Sequence, residues 1–339
     1  MIVRNKQFNA ALFVGNFNDG IFDLDVADVP ALKQLSKIEN HVVNVLNIHD
    51  VVRSRRFNPI QHKYIPTLQD ALILSEKISK TFWDQEDCMP RYFQLYKEVS
   101  SDILAACIWF FVNYKRMPYD NETGEELVPE YHTDKETGHK KLTGNVFDKH
   151  GNPVPPNKFH WLGKYSDIPH ILSFMCHNYS DIIYILETVP EIYPLITPLV
   201  SCWRNKDMEL FELFTMPLRT MLSKFCTPEA YWIFHRDGDD FDLRRNENYL
   251  IINCREGYEK VMNMISVLVT GKVPEQKIQE LNSKRPWYDT LVGNLTATVY
   301  DFKPAANTER ILLENMENVR KDVDTLILDI QNGYKKISI

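Results

Sequence analysis

SDIPHILSFMCHN (166–178), SDIIYILETV (180–189), DMELFELFTMPLRTMLSKF (within 206–225), TPEAYWIF (227–234), DGDDFDL (237–243) and YLIINC (249–254) follow one another and decide the fold. Apolar residues recur at helical spacing up to about Phe234, and then a short β-branched run takes over. Ser166 and Ser180 read as N-caps, and Thr227-Pro228-Glu229 supplies a cap, a proline at the first helical position and an early acid. Pro190, Pro194, Pro198 and Pro217 are expected to break or kink the tract, because proline removes an N–H and clashes with the preceding turn.

On the N-terminal side, ALFV (11–14), GIFDLDV (20–26) and HVVNVLNI (41–48) are β-rich runs bounded by Gly, Asn and Asp, with a helical ALKQLSKI (31–38) between them. Helical periodicity starts after a Thr67 cap with LQDALILSEKISKTFW and continues with YKEVSSDILAACIWFFVNYKR (96–116). Residues 117–158 interrupt it as a polar excursion rich in turn dipeptides, too hydrophilic for core and suggestive of two small hairpins. After YLIINC, EGYEKVMNMISVLVTGK (256–272) reads as an amphipathic helix. The expected class is mixed α/β, mostly α. Its parts are an α/β segment (1–65), an inserted helical domain (66–236), a returning α/β segment (237–275) and a tail (276–339) with a heptad helix at 308–331.

That last helix is marked by Leu312, Met316, Val319, Val323, Leu326 and Ile330, spaced 4, 3, 4, 3 and 4. This is a coiled-coil seam, able to pack on another chain or on the protein's own body. A net charge of −7 and a pI near 5.8 argue against phosphate-backbone binding by the whole surface. Local basic strips, Arg53, Arg55 and Arg56 or Arg244 and Arg245, leave a DNA contact open, although solvated turns are the ordinary reading. Cys88, Cys107, Cys176, Cys202, Cys226 and Cys254 lie far apart among mostly apolar neighbours and read as reduced core thiols. The best apolar run, ILAACIWFFV (103–112), is short for a membrane span, and the N-terminus lacks an export pattern. A cytoplasmic protein is expected, docked at the inner face of a membrane only through partners.

Chemistry is hard to place. Only Gly15 and Gly20 have the glycine spacing of a phosphate loop, and they follow the strand ALFV as that motif would. Ile21 and Phe22 stand where its lysine and hydroxyl belong, so a tight turn between strands is the plainer reading. TLILDI (325–330) and ATVYDF (297–302) offer Asp329 and Asp301 as Walker B acids without the following glutamate. Asp329 also falls inside the heptad helix, where a solvated face accounts for it. His170, Cys176 and His177 lack a fourth metal ligand at characteristic spacing, and Asp237, Asp239, Asp240 and Asp242 form an acidic turn without EF-hand order. No catalytic residue and no metal ligand is assigned.

VVNVLNI leading into SRRFNPI (54–60), then AACIWFF (105–111), PHILSF, PLVSCW, LRTMLSKF, TPEAYWIF and DDFDL, stand in an order that resembles the type IV coupling proteins, the TraG-type ATPases of conjugative DNA transfer and secretion. The resemblance covers roughly 40–115 and 160–270. It implies a helical domain inserted between strands of a RecA-like nucleotide-binding layer, recognition of transfer substrates by that domain, and hexamers around the translocated strand. The family's P-loop would lie upstream of this chain's start, and its Walker B strand is replaced after residue 272. The expected function is therefore a non-hydrolysing relative that recognises a protein component or substrate of a transfer complex, without a cofactor. An ATPase with divergent loops, binding ATP and Mg²⁺, and a structural subunit that self-associates through Leu312–Ile330 are the alternatives.

Overall fold

The computed structural model describes residues 2–4, 11–18, 21–24, 42–47, 51, 56–83, 91–133, 140–235, 248–253, 264 and 308–333. The fold is mixed α/β and mostly α. The chain forms two compact units, one of residues 1–58, 76–89 and 223–316, the other of 59–75, 90–222 and 317–339.

The first unit is built on a five-stranded sheet of β1 (Ile2–Arg4), β2 (Ala11–Asn18), β3 (Ile21–Leu24), β4 (Val42–Asn47) and β9 (Asn248–Asn253). Its centre is parallel: β9 lies between β2 and β4, pairing Val14 with Ile252 and Val45 with Ile251. β1 and β3 are antiparallel to β2 and take successive halves of its length, Ala11–Phe13 and Gly15–Asn18. β2 and β3 thus pair antiparallel from Gly15 with Leu24 to Asn18 with Ile21, as two successive β-rich runs can. In the same unit the Phe57 N–H donates to the Ile233 carbonyl (2.9 Å), and Phe225 meets Phe234 edge to face. Arg56 donates from Nε to the Trp232 carbonyl (3.1 Å) and lays its guanidinium over the Trp232 ring at 4.2 Å.

The helices among the described residues are α1 (Leu68–Trp83), α2 (Arg91–Asn113), α3 (Ile168–Met175), α4 (Tyr179–Leu186), α5 (Tyr193–Asn205), α6 (Met208–Leu222), α7 (Pro228–Ile233) and α8 (Thr308–Gly333). α1 opens on a reciprocal cap: Asp70 N–H donates to Thr67 Oγ1 (3.2 Å), while Thr67 N–H donates to Asp70 Oδ2 (3.0 Å). Thr227 caps α7 by accepting from the Ala230 N–H, as its Thr-Pro-Glu signature requires. Two other expected caps shift. α3 is capped by Asp167, whose carboxylate accepts from the His170 N–H (2.8 Å), and the Ser166 hydroxyl instead donates to the Ile60 carbonyl. α4 starts one residue before Ser180, with Asn178 at the cap position. Pro190 opens a 3-10 turn and Pro194 sits in the first turn of α5, whereas Pro198 and Pro217 lie inside α5 and α6, which run through them.

α2 is the central helix of the second unit. Ile103, Leu104, Ala105, Ala106, Cys107 and Ile108 are all buried, the all-round burial expected of a core helix. Phe110 and Phe111 pack on Phe174 of α3, and Cys107 Sγ lies 3.6 Å from Met175 Sδ. The Ser100 hydroxyl ties α2 to the Phe214 carbonyl of α6 (2.5 Å).

The polar excursion is nested rather than two hairpins in series. β5 (Met117–Asp120) pairs with β8 (Phe159–Leu162), and between them β6 (Val128–Thr133) pairs with β7 (Lys140–Phe147). Leu127, Val146 and Phe159 form its own small buried cluster, flanked by Val154 and Trp161. Gly163 then brings the chain against the end of α2, where a Cβ would sit 2.3 Å from the Phe111 carbonyl oxygen. Among the described residues no single helix is long and apolar enough to cross a membrane.

Candidate functional site

Gly15 lies within β2, paired with Leu24 on one side and Asn253 on the other. The described chain continues from it through the rest of β2 into β3, with Ile21 and Phe22 paired to Asn18 and Phe17. A phosphate loop leaves its strand for a helix so that successive amides can wrap phosphate. Gly20 lies outside the described residues, as do Arg53, Arg55, Arg244, Arg245, Asp301, the acidic residues from Asp237 to Asp242, the expected helix at 31–38 and, Met264 apart, the expected helix at 256–272.

The heptad seam is part of the protein's own interior. Leu312, Val319, Val323, Leu326 and Ile330 are buried, Met316 is half-buried, and Ile327 joins the buried set. Self-pairing through this seam would require these side chains to leave that interior.

Charged groups flank the seam. With Val323 and Ile330 on the ridge, Asp322 and Asp329 lie seven residues apart on one side, and Asp324 and Gln331 seven apart on the other. Asp322 Oδ2 is 3.6 Å from His170 Nε2, and Asp329 Oδ2 is 2.7 Å from Lys115 Nζ. Across the ridge Asp324 Oδ1 is 3.3 Å from His177 Nε2, and Gln331 donates from Nε2 to Asp181 Oδ1 at 2.9 Å. Two polar rails at heptad spacing therefore bracket one apolar ridge.

The inner end of these contacts is electrostatically distinctive. His170 is 1% exposed, with Nδ1 2.6 Å from the buried Asp167 carboxylate. Burial alone would push its pKa down, but Asp167 first and Asp322 second outweigh that and raise it to about 9. Tyr165 stacks on the ring at 4.9 Å, and Tyr114 stacks on Tyr165. Asp167 thus has two duties, capping α3 and holding the imidazolium.

His170 and His177 were the conspicuous metal candidates, yet α3 ends at Met175, so His177 lies beyond it and turns to Asp324. Cys176 is the exposed residue ending that helix. Cys107 and Cys202 are buried thiols, Cys107 pushed up to about 12 by burial, while Cys226 is exposed and Cys88 and Cys254 lie outside the described residues. Lys115 and Asp322 escape a reading of local pattern because their partners are distant in sequence. Only the alternation of acids around Val323 hinted at paired flanks.

No family model, no curated protein and no solved structure matches this chain.

Proposed function

We propose that this chain is a non-hydrolysing relative of the conjugative coupling proteins, a recognition protein for a component or substrate of a DNA-transfer or secretion complex. The carrying observation is the return of β9, from beyond the helical tract, to lie parallel between β2 and β4. That connectivity makes the helices from α1 to α7 an excursion between neighbouring strands, and it supports the reading of a helical domain inserted into a RecA-like layer. The pairing of Gly15 inside a β-hairpin favours the non-hydrolysing form over an ATP-driven one. In this reading the protein works in the cytoplasm at the inner face of a membrane, held there by its partners.

Two measurements test it. Calorimetric titration of the full chain with ATP and Mg²⁺ is expected to give no saturable heat up to millimolar nucleotide; saturable micromolar binding would favour the motor. Cross-linking of a tagged chain in its native cells, read by mass spectrometry, is expected to recover DNA-processing or secretion-channel subunits. Recovery of unrelated proteins alone would sink the recognition reading.

A further inference from the structure

We infer that the surface bounded by Lys115, His170, His177 and Asp181 is a receptor for an acidic amphipathic helix of a partner protein, occupied in cis by residues 317–333 of this chain. The inference rests on the recognition reading above and names the chemistry of what is recognised.

The cis helix displays the code. Val319, Val323, Leu326 and Ile330 form the buried ridge, and Asp322, Asp324 and Asp329 meet one basic group each on the opposing surface. The fourth contact reverses polarity, since Gln331 donates to Asp181; an acid there would face a carboxylate. Together these contacts select an apolar ridge at heptad spacing, acids on both sides of its second residue, an acid before its fourth and a neutral donor after it. Such a segment is about 25 Å long, the scale of an amphipathic helix laid into a groove.

Rim contacts of this kind set selectivity and on-rate more than total affinity. Most are open to solvent here: Lys115 and Asp329 are 44% and 42% exposed as side chains, and Asp324 is 61% exposed. The covalent link keeps the cis helix at high local concentration, so a partner helix must compete with it. The docked state is thereby autoinhibited, and it opens to a helix that carries the same code.

A fluorescent peptide of residues 317–333 is titrated into the wild-type chain and into Val323→Asp, which weakens cis docking. Saturable binding to the variant is expected, about tenfold weaker binding to wild type, and at least about tenfold loss for a peptide carrying Asp322→Lys, Asp324→Lys and Asp329→Lys. Absence of saturable binding to a variant that still melts cooperatively would overturn the inference. If Val323→Asp does not fold, hydrogen exchange of the wild-type chain decides: opening of 317–333 before α2 is expected, and opening only together with α2 overturns it. A wild-type dimer that Val323→Asp converts to monomer would assign the surface to a second copy's helix and overturn the partner reading. Because the peptide reports on this surface alone, its failure leaves the nucleotide and cross-linking results standing.

Discussion

Gly163 is the residue on which the junction between the β-excursion and the helices turns. A methyl group there would press on the Phe111 and Val112 carbonyl oxygens, at 2.3 and 2.9 Å, and both belong to backbone that cannot swing aside. Gly163→Ala is expected to destabilise the second unit by about 1–3 kcal/mol, read as a lower urea midpoint at unchanged slope. His170 gives a pH signature. Its folded pKa of about 9 lies above the ordinary 6.5, so its contribution is fully present below pH 6.5 and is lost as pH rises through about 9. Stability of the wild type is expected to fall by about 2–3 kcal/mol between pH 7 and 10, and His170→Gln should flatten that slope. At this scale the sequence was partly legible. Thr67 and Thr227 announce their caps because a hydroxyl followed three residues later by a free amide is a local pattern. Ser166 and Asp167 are both good caps by residue type, and only the distant Ile60 carbonyl, which takes the serine hydroxyl, decides between them.

The elements differ in how much they depend on each other. The excursion from β5 to β8 holds two two-stranded sheets around Leu127, Val146 and Phe159, and sheets of that size are marginal without such a cluster. Phe159→Ala removes about 3–5 kcal/mol of packing, more than a small module of this kind can spare. Loss of amide protection across 117–162 is expected, with protection in α2 retained; a uniform loss throughout the second unit would contradict the separation. The excursion's polarity was plain in the sequence, but its nesting was not. Met117 pairs with Leu162, and no local signal tells a strand to wait more than forty residues for its partner. The C-terminal helix was legible as a seam from spacing alone. Asp329 reads from the sequence as part of a solvated face, and it remains partly exposed even while paired with Lys115.

For the whole molecule, the acidic balance bears on nucleic acid. A net charge of −7 disfavours phosphate binding by the surface as a whole. Fluorescence anisotropy with duplex or single-stranded DNA is expected to give no saturable binding at about 0.15 M salt; tight binding there would point to a concentrated basic strip. The β-rich runs near 11–14, 20–26 and 41–48 appear as strands, and the return of YLIINC to strand character was readable from its β-branched residues. Strand order was not, because β9's place between β2 and β4 is fixed by partners far upstream. The same placement has a bearing on synthesis. The edge of β4 that β9 covers is translated about 200 residues before β9 itself, and at about 5–20 residues per second the ribosome takes roughly 10–40 s to supply the missing strand. During that interval the nascent chain carries an unsealed strand edge while its helices can already collapse, so its yield in the cell should track the supply of chaperones that shield such edges.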